Sequence, residues 1–343
     1  MPNNDYFKSA LCHFLVCCQM HRLFRYVNRN RLFVVNYHGI CRSDYQPSVW
    51  TQLPRERFIQ QMLYVKKYYH IISMQDLIEA IDSGSYLPPK AALITFDDGL
   101  RNNYSVAYPL LKKYNIPATV FLTTDYIDTN ALLWFDELFF LLREMKHLDQ
   151  EVNIQELSCF GNLKTTDLWP YYFNAVERLK RTTADHRDVV LAQLRSMVSF
   201  DRSSIIDDFG ILSSPQIKEM YDSGLVDFGV HTANHRILQN LPAKEWNKEI
   251  HNPRKKLSEL LGREIYSFCY PNGQPGLDFS KQHVDFLHHA GYKCAFTTKA
   301  RLYNLRKNEP FLISRVPAGN DTTSNMAFFK LNVASFMSFF KRT

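Results

Sequence analysis

Along most of this chain, short apolar, β-branched runs alternate with longer stretches whose apolar residues recur at helical spacing. This alternation is the tightest constraint on the fold, because parallel strands need connections long enough to hold a helix. Seven runs read as strands: LFVVNYHG from Leu32, AALITF ending at Phe96, IPATVFLT from Ile116, VDFGVH ending at His231, EIYSFCYPNG from Glu264, YKCAFTT from Tyr292 and FLISRVP from Phe311. Between them, PRERFIQQMLYVKKYY, MQDLIEAIDSG, NYSVAYPLLKKYN, SSPQIKEMYDSG, EWNKEIHNPRKKLSELLG and FSKQHVDFLHHAG read as helices, several stopped by glycine. The result is an α/β fold with parallel strands, either a (β/α) barrel or a doubly wound open sheet.

The pattern changes between about residues 130 and 210, where WFDELFFLLREMKHL and AVERLKRTTADHRDVVLAQLRSMV are helical and charged. This region reads as a helical insertion, either a lid over the site face or a passive excursion. Residues 1–30 form an amphipathic helical segment whose apolar face packs on the domain or lies on a membrane. The main domain is expected over 31–318 and a further helical segment over 319–343. The stretch FFKLNVASFMSFFKRT in that last segment suits an interfacial helix or a helix closing the barrel bottom.

Composition narrows the function. A formal charge of +7 suits anionic partners, but no basic run is interleaved with aromatics, which speaks against nucleic acid. The seven cysteines are irregularly spaced and include no CxxC pair. They read as reduced thiols of a cytoplasmic protein. The first residues lack a clean apolar core followed by a small-residue cleavage site, which argues against a secretory signal. No apolar run reaches the roughly 18 residues of a spanning helix. Peripheral association with the inner face of a membrane stays open. Aromatic residues make up 14% of the chain, and they fill cores as readily as they line sugar clefts.

Three strand ends carry unusual polar residues: Asp97-Asp98-Gly99, then HTANH with His231 and His235, then YPNG from Tyr270. Adjacent carboxylates at the end of a buried strand repel, and burial of even one is costly unless it is paired or bound to a metal. His231 and His235 are spaced to grip one cation from a strand end and its turn. With Asp98 they make the two-imidazole, one-carboxylate set of an open catalytic metal site. Asp97 is then free to take a proton from water. An HxxxH pair or a DDG turn alone is weak evidence; strength comes from all three segments ending strand-like runs.

On these segments the chain resembles the polysaccharide deacetylases, the NodB-homology group of carbohydrate esterase family 4. TFDDG at 95–99 matches that family's first motif, HTANH at 231–235 its second, and FCYPNG at 268–273 is similar to its third. The resemblance runs from about residue 30 to 318 and implies a distorted (β/α)7 barrel. It implies Asp97 as general base, with Asp98, His231 and His235 holding a divalent cation, usually zinc and sometimes cobalt or nickel. The backbone N–H near Asn272 would help bind the oxyanion. The usual aromatic of the third motif is replaced by Asn272, and the base-orienting Arg is absent there; Arg315 in ISRVP is the candidate replacement. The late Leu-x-His motif that supplies the general acid is missing, as is the fourth motif with its Asp and Trp. His38 in NYHG is the candidate acid or, equally, a packing residue.

The function expected is therefore a metal-dependent hydrolase that removes an acetyl group from an acetylated sugar, N-acetyl above O-acetyl. Two alternatives remain: a deacylase or deformylase of a lipid-linked sugar at the cytoplasmic membrane face, and a sugar-binding relative without catalysis.

Overall fold

The computed structural model describes residues 2–42 and 49–336, with side chains from residue 9 onward. Seven parallel strands make its frame: β1 (Phe33–Tyr37), β2 (Ala91–Phe96), β3 (Ala118–Leu122), β4 (Val226–Val230), β5 (Ser267–Cys269), β6 (Cys294–Phe296) and β7 (Val316–Pro317). Their order in the sheet is β7-β1-β2-β3-β4-β5-β6, and a short strand His70–Ile71 also pairs with β2. The chain from Ile313 to Pro317 joins the two edges. Ile313 bridges Phe296 in parallel, while Val316 pairs with Val35. The sheet is thus a distorted seven-stranded barrel rather than an open sheet.

Strand residues alternate in direction, and the barrel sorts them. Val35, Ile94, Val120, Phe228, Phe268 and Val316 face outward into the main core with the surrounding helices. Val34, Leu93, Phe121, Cys269, Phe296 and Ile313 form a separate inner cluster, shared with Met74 and Leu77 of a helix, Met74–Ser83. Gly229 shows how tightly this interior is filled. A Cβ there would come within 2.6 Å of the Phe121 ring and 2.5 Å of the Ser267 hydroxyl. Near the C-terminal strand ends the inward positions turn polar: Asn36, Thr95, Asp97, His231 and Arg315, all buried.

Two helices precede the barrel, α1 (Pro2–Cys17) and α2 (Met20–Val27), and one follows it, Met326–Val333. They pack on each other through Cys12, Leu15, Phe24, Leu331 and Phe336, while Phe329 and Val333 belong to the main core. The last seven residues of the C-terminal aromatic stretch, 337–343, lie outside the described residues. Among the described residues no helix is long and apolar enough to cross a membrane.

Between β3 and β4 lie three longer helices, α3 (Trp134–His147), α4 (Leu168–Leu179) and α5 (Ala184–Met197). Their core is their own: Leu138, Phe140, Tyr171, Leu179, Leu191 and Phe209 cluster apart from the barrel. Glu137 ties this cap together by accepting from Arg195 Nε at 2.9 Å and Nη2 at 2.6 Å, and from Arg202.

The stretch EWNKEIHNPRKKLSELLG departs from one continuous α-helix. A π-helical turn, Asn247–His251, precedes the α-helix Asn252–Leu261. Pro253 at the start of the α-helix lacks an N–H and clashes with the carbonyl four residues back, so the preceding turn widens. Asn103–Ala107, just before Pro109, shows the same device.

Candidate functional site

The register of β1 against β2 sets the first two groups. Tyr37 pairs with Phe96, so His38 and Asp97 follow side by side at neighbouring strand ends. Asp97 points inward by alternation. Asp98 would point outward, but its φ of 72° and the 78° of Gly99 turn the chain and bring the second carboxylate into the same space. Gly99 has no substitute here: its φ is left-handed and a Cβ would lie 2.4 Å from Leu122 Cδ2. Thr123 Oγ1 donates to the Asp98 carbonyl at 3.0 Å and fixes the turn.

His231 ends β4, and its Nδ1 lies 2.8 Å from the Cys269 carbonyl. That contact leaves Nε2 facing Asp98, 3.5 Å from Oδ1. His235 Nε2 is 3.4 Å from the same oxygen. The loop between them takes φ of 63° at Thr232 and 52° at His235. Glu249, from the widened π-helical turn, holds it by accepting from the N–H groups of Ala233 at 3.1 Å and Asn234 at 3.0 Å. Glu249 is fully buried and carries no motif; only its reach across from another element marks it.

Asp98 Oδ1 is buried without a hydrogen-bond partner among the described residues. Burial, with the charges of Asp97 and Asp136, pushes its carboxyl well above the usual range, so an anion there needs a positive counterpart. Burial lowers both histidines: His231 below its ordinary value, and His235 well below it, assisted by the neighbouring His231. Two neutral imidazoles and one orphaned carboxylate oxygen, all within 4.8 Å of one another, fit a divalent cation.

Asp97 is different. Arg315 grips both its oxygens, Nη1 to Oδ1 at 2.6 Å and Nη2 to Oδ2 at 2.8 Å. The same guanidinium reaches Asn36 Oδ1 at 3.1 Å, Thr297 O at 3.2 Å and Cys269 Sγ at 2.9 Å. Burial works to raise the Asp97 carboxyl, but Arg315, then His231 and His38, hold it well below the ordinary range. Asp97 is thus an oriented anion. Arg315 does this because residues 313–317 close the barrel and an inward side chain there has only the interior to occupy.

His38 packs edge-on against Trp50, ring centroids 4.8 Å apart, and its Nδ1 is buried without a partner. Burial, aided by Arg315 and His231 and opposed by Asp97, lowers its pKa to about 4, so the ring is neutral at rest. Asn272, at φ 57°, lines the same cleft; its carbonyl accepts from Thr298 Oγ1, and its N–H finds no acceptor among the described residues.

These groups sit at the base of a cleft of about 570 Å³. Its upper wall is the cap: Trp134, Phe135, Tyr172 and Arg187. Phe135 lies edge-on to His235, 5.2 Å between centroids. The sequence marked WFDEL only as helical; nothing in its spacing showed that its first two rings overlook the histidines.

A family model described as "Polysaccharide deacetylase" matches residues 84–295, more than half of the chain. The poly-beta-1,6-N-acetyl-D-glucosamine N-deacetylase of Staphylococcus epidermidis is 28% identical over 111 residues, 29% of this chain and 38% of that protein. The enzyme of the same name from Escherichia coli K12 is 33% identical over 105 residues, 30% of this chain and 15% of that protein. The chain thus matches well under two thirds of the length of these curated relatives. Among solved structures, the Streptococcus pyogenes deacetylase PplD in complex with acetate aligns at TM-score 0.56 and 17% identity, covering 89% of this chain and 98% of that one. IcaB from Ammonifex degensii aligns at 0.56 and 21%, covering 88% and 97%. At such identities these structures establish the barrel fold.

Proposed function

The chain belongs to the polysaccharide deacetylase family, and from that premise we propose that it hydrolyses the acetyl group from the nitrogen of an N-acetylated sugar. The curated relatives named as N-deacetylases of poly-beta-1,6-N-acetyl-D-glucosamine support this choice of substrate class. One observation carries the reading: an unpartnered Asp98 oxygen faced by two imidazoles, next to a second carboxylate whose anionic form is held by Arg315.

Asp98, His231 and His235 would hold a divalent cation, zinc being usual in the family, which when bound supplies Lewis acidity toward the acyl carbonyl and lowers the pKa of water. The protein's own groups do the rest. Asp97 takes one proton from the attacking water as the new C–O bond forms. Arg315 keeps that carboxylate anionic and aimed. The Asn272 N–H donates to the carbonyl oxygen as it gains negative charge. When the C–N bond breaks, the amine needs a proton. A resting His38 has none to spare, so the proton is the one Asp97 has collected, passed on directly or through the adjacent His38. Products are acetate and a free amino sugar. Trp50, Phe135 and Tyr172, which line the cleft, would offer apolar ring surface to the sugar.

The test is Asp97→Asn, assayed for acetate release on N-acetylglucosamine oligomers, with metal content measured alongside. Turnover should fall about 10³-fold, in the range of a lost general base, while the cation stays near stoichiometric. Undiminished turnover would remove Asp97 from the role.

A further inference from the structure

The cap contributes one charged side chain to the cleft that the hydrolytic reading does not use. Arg187, on α5, is only 9% exposed. Its guanidinium lies over the Trp134 ring, 4.6 Å from the centroid, and both residues line the cleft. Among the described residues no carboxylate oxygen lies within ion-pair distance of it, and its Nε has no hydrogen-bond partner. The carboxylates whose charge it feels are those of Asp188 and Glu249, and Glu249 is already engaged with the Ala233 and Asn234 N–H groups. Tyr126 and Arg236 also act on it through space.

A buried guanidinium with open donors is costly unless something pairs with it. Arg181 also lines the cleft, but it is exposed and hydrated, so it carries no such burial cost. Lys180 is paired with Glu177 at 2.9 Å, and Asp278 accepts from the Gln274 N–H at 2.8 Å. Two rings stand between Arg187 and His235, although its charge still reaches that histidine. The path from His235 to it runs through Phe135, at 5.2 Å, then Trp134, 5.7 Å further, before reaching the guanidinium. With those two rings between them, the anion that pairs with Arg187 is sought on a part of the substrate other than the acyl group.

We propose that Arg187 and Trp134 form an anion subsite that reads a carboxylate or phosphate borne by the acylated sugar or by the group attached to it. Trp134 holds the guanidinium plane, leaving its edge to donate to two oxygens, the geometry that suits either oxyanion. The substrate class narrows from any N-acetylated glycan to an acidic one: a glycan carrying a uronic acid or a phosphate-linked sugar. This rests on the deacetylase reading for its substrate and on Arg187 alone for its charge preference.

The experiment separates the two. Binding of inorganic phosphate, glucuronate and neutral glucose is measured by titration calorimetry on the wild-type protein, Arg187→Met and Arg187→Lys, with melting temperature as the folding control. Wild type should bind one or both anions at least about tenfold more tightly than glucose, as a charge-assisted hydrogen bond allows. Met should abolish the difference, and Lys should keep part of it. Which anion wins distinguishes a uronic acid from a phosphate. On matched acidic and neutral N-acetylated disaccharides, the ratio of kcat/KM should exceed about ten in wild type and collapse toward one in Arg187→Met. Equal binding of anions and glucose by wild type would overturn the subsite, as would an anion preference that survives in a folded Met variant. Absence of acetate release from every substrate would instead count against the deacetylase reading, while the calorimetry still decides Arg187.

Discussion

The barrel floor and the helical cap meet at one cleft, yet they are built on opposite principles. On the floor, Asp97 is held through both oxygens by Arg315, which also touches Asn36, Thr297 and Cys269. On the cap wall, Arg187 has one ring beneath it, and among the described residues its Nε has no partner. The floor comes from seven strands pinned by register, so its side chains are over-determined. The cap has its own core, so its residues can differ with less disturbance to the strands. Under the proposed reading, a fixed floor would run the reaction and the insertion between β3 and β4 would select what reaches it.

The contrast can be broken most directly at Arg315. Arg315→Met leaves Asp97 buried and unpaired, and should cost about 3–5 kcal/mol of stability in urea denaturation. Arg315→Lys should recover only part, since an ammonium cannot hold both oxygens. A loss no larger than that of an exposed cap substitution such as Phe173→Ala would mean the floor is no more constrained than the wall.

A pH series sharpens the same point. His38 has a folded pKa of about 4 against an ordinary 6.5, so between those values the unfolded chain binds a proton that the folded one refuses. Its contribution is therefore neutral to folding above pH 6.5 and increasingly unfavourable as pH falls toward 4, by up to about 3 kcal/mol. In chelated protein, His38→Gln should flatten the loss of stability across that window. An unchanged slope would place His38 in a more hydrated setting than the cleft base provides.

The smallest expected effect is at Glu249. Glu249→Ala frees the N–H groups of Ala233 and Asn234 and should loosen affinity for added zinc about 10- to 100-fold, the scale for partners that orient metal ligands. Competition against a chromophoric chelator would measure it. Affinity equal to wild type would show that the left-handed turns at Thr232 and His235 hold themselves.

Much of the floor was legible because strand ends are local. An apolar run closing on Asp97, or on His231, announces itself in a few residues, and the period of two assigns the inward face. The helix starts were equally local: Ser73 and Ser213 cap their helices as short-range chemistry dictates, and Gly262 ends its helix at φ 67°. Arg315 could be guessed from its place near a late strand end. Glu249, Trp134 and Arg187 could not, because no spacing within their own segments records which distant loop or cleft they meet.

What the sequence determined by itself was the α/β alternation and the four groups Asp97, Asp98, His231 and His235, since those depend on hydrophobic period and residue type along short stretches. Tertiary structure alone decided that the sheet closes through residues 313–317, that Asp98 turns back beside Asp97 instead of away, and that a cap arginine faces the cleft unpaired. The closure and the placing of the cap arginine are fixed by where segments far apart in the chain come to rest, and the Asp98 turn by a backbone conformation no residue pattern announces; none of these leaves a periodic trace.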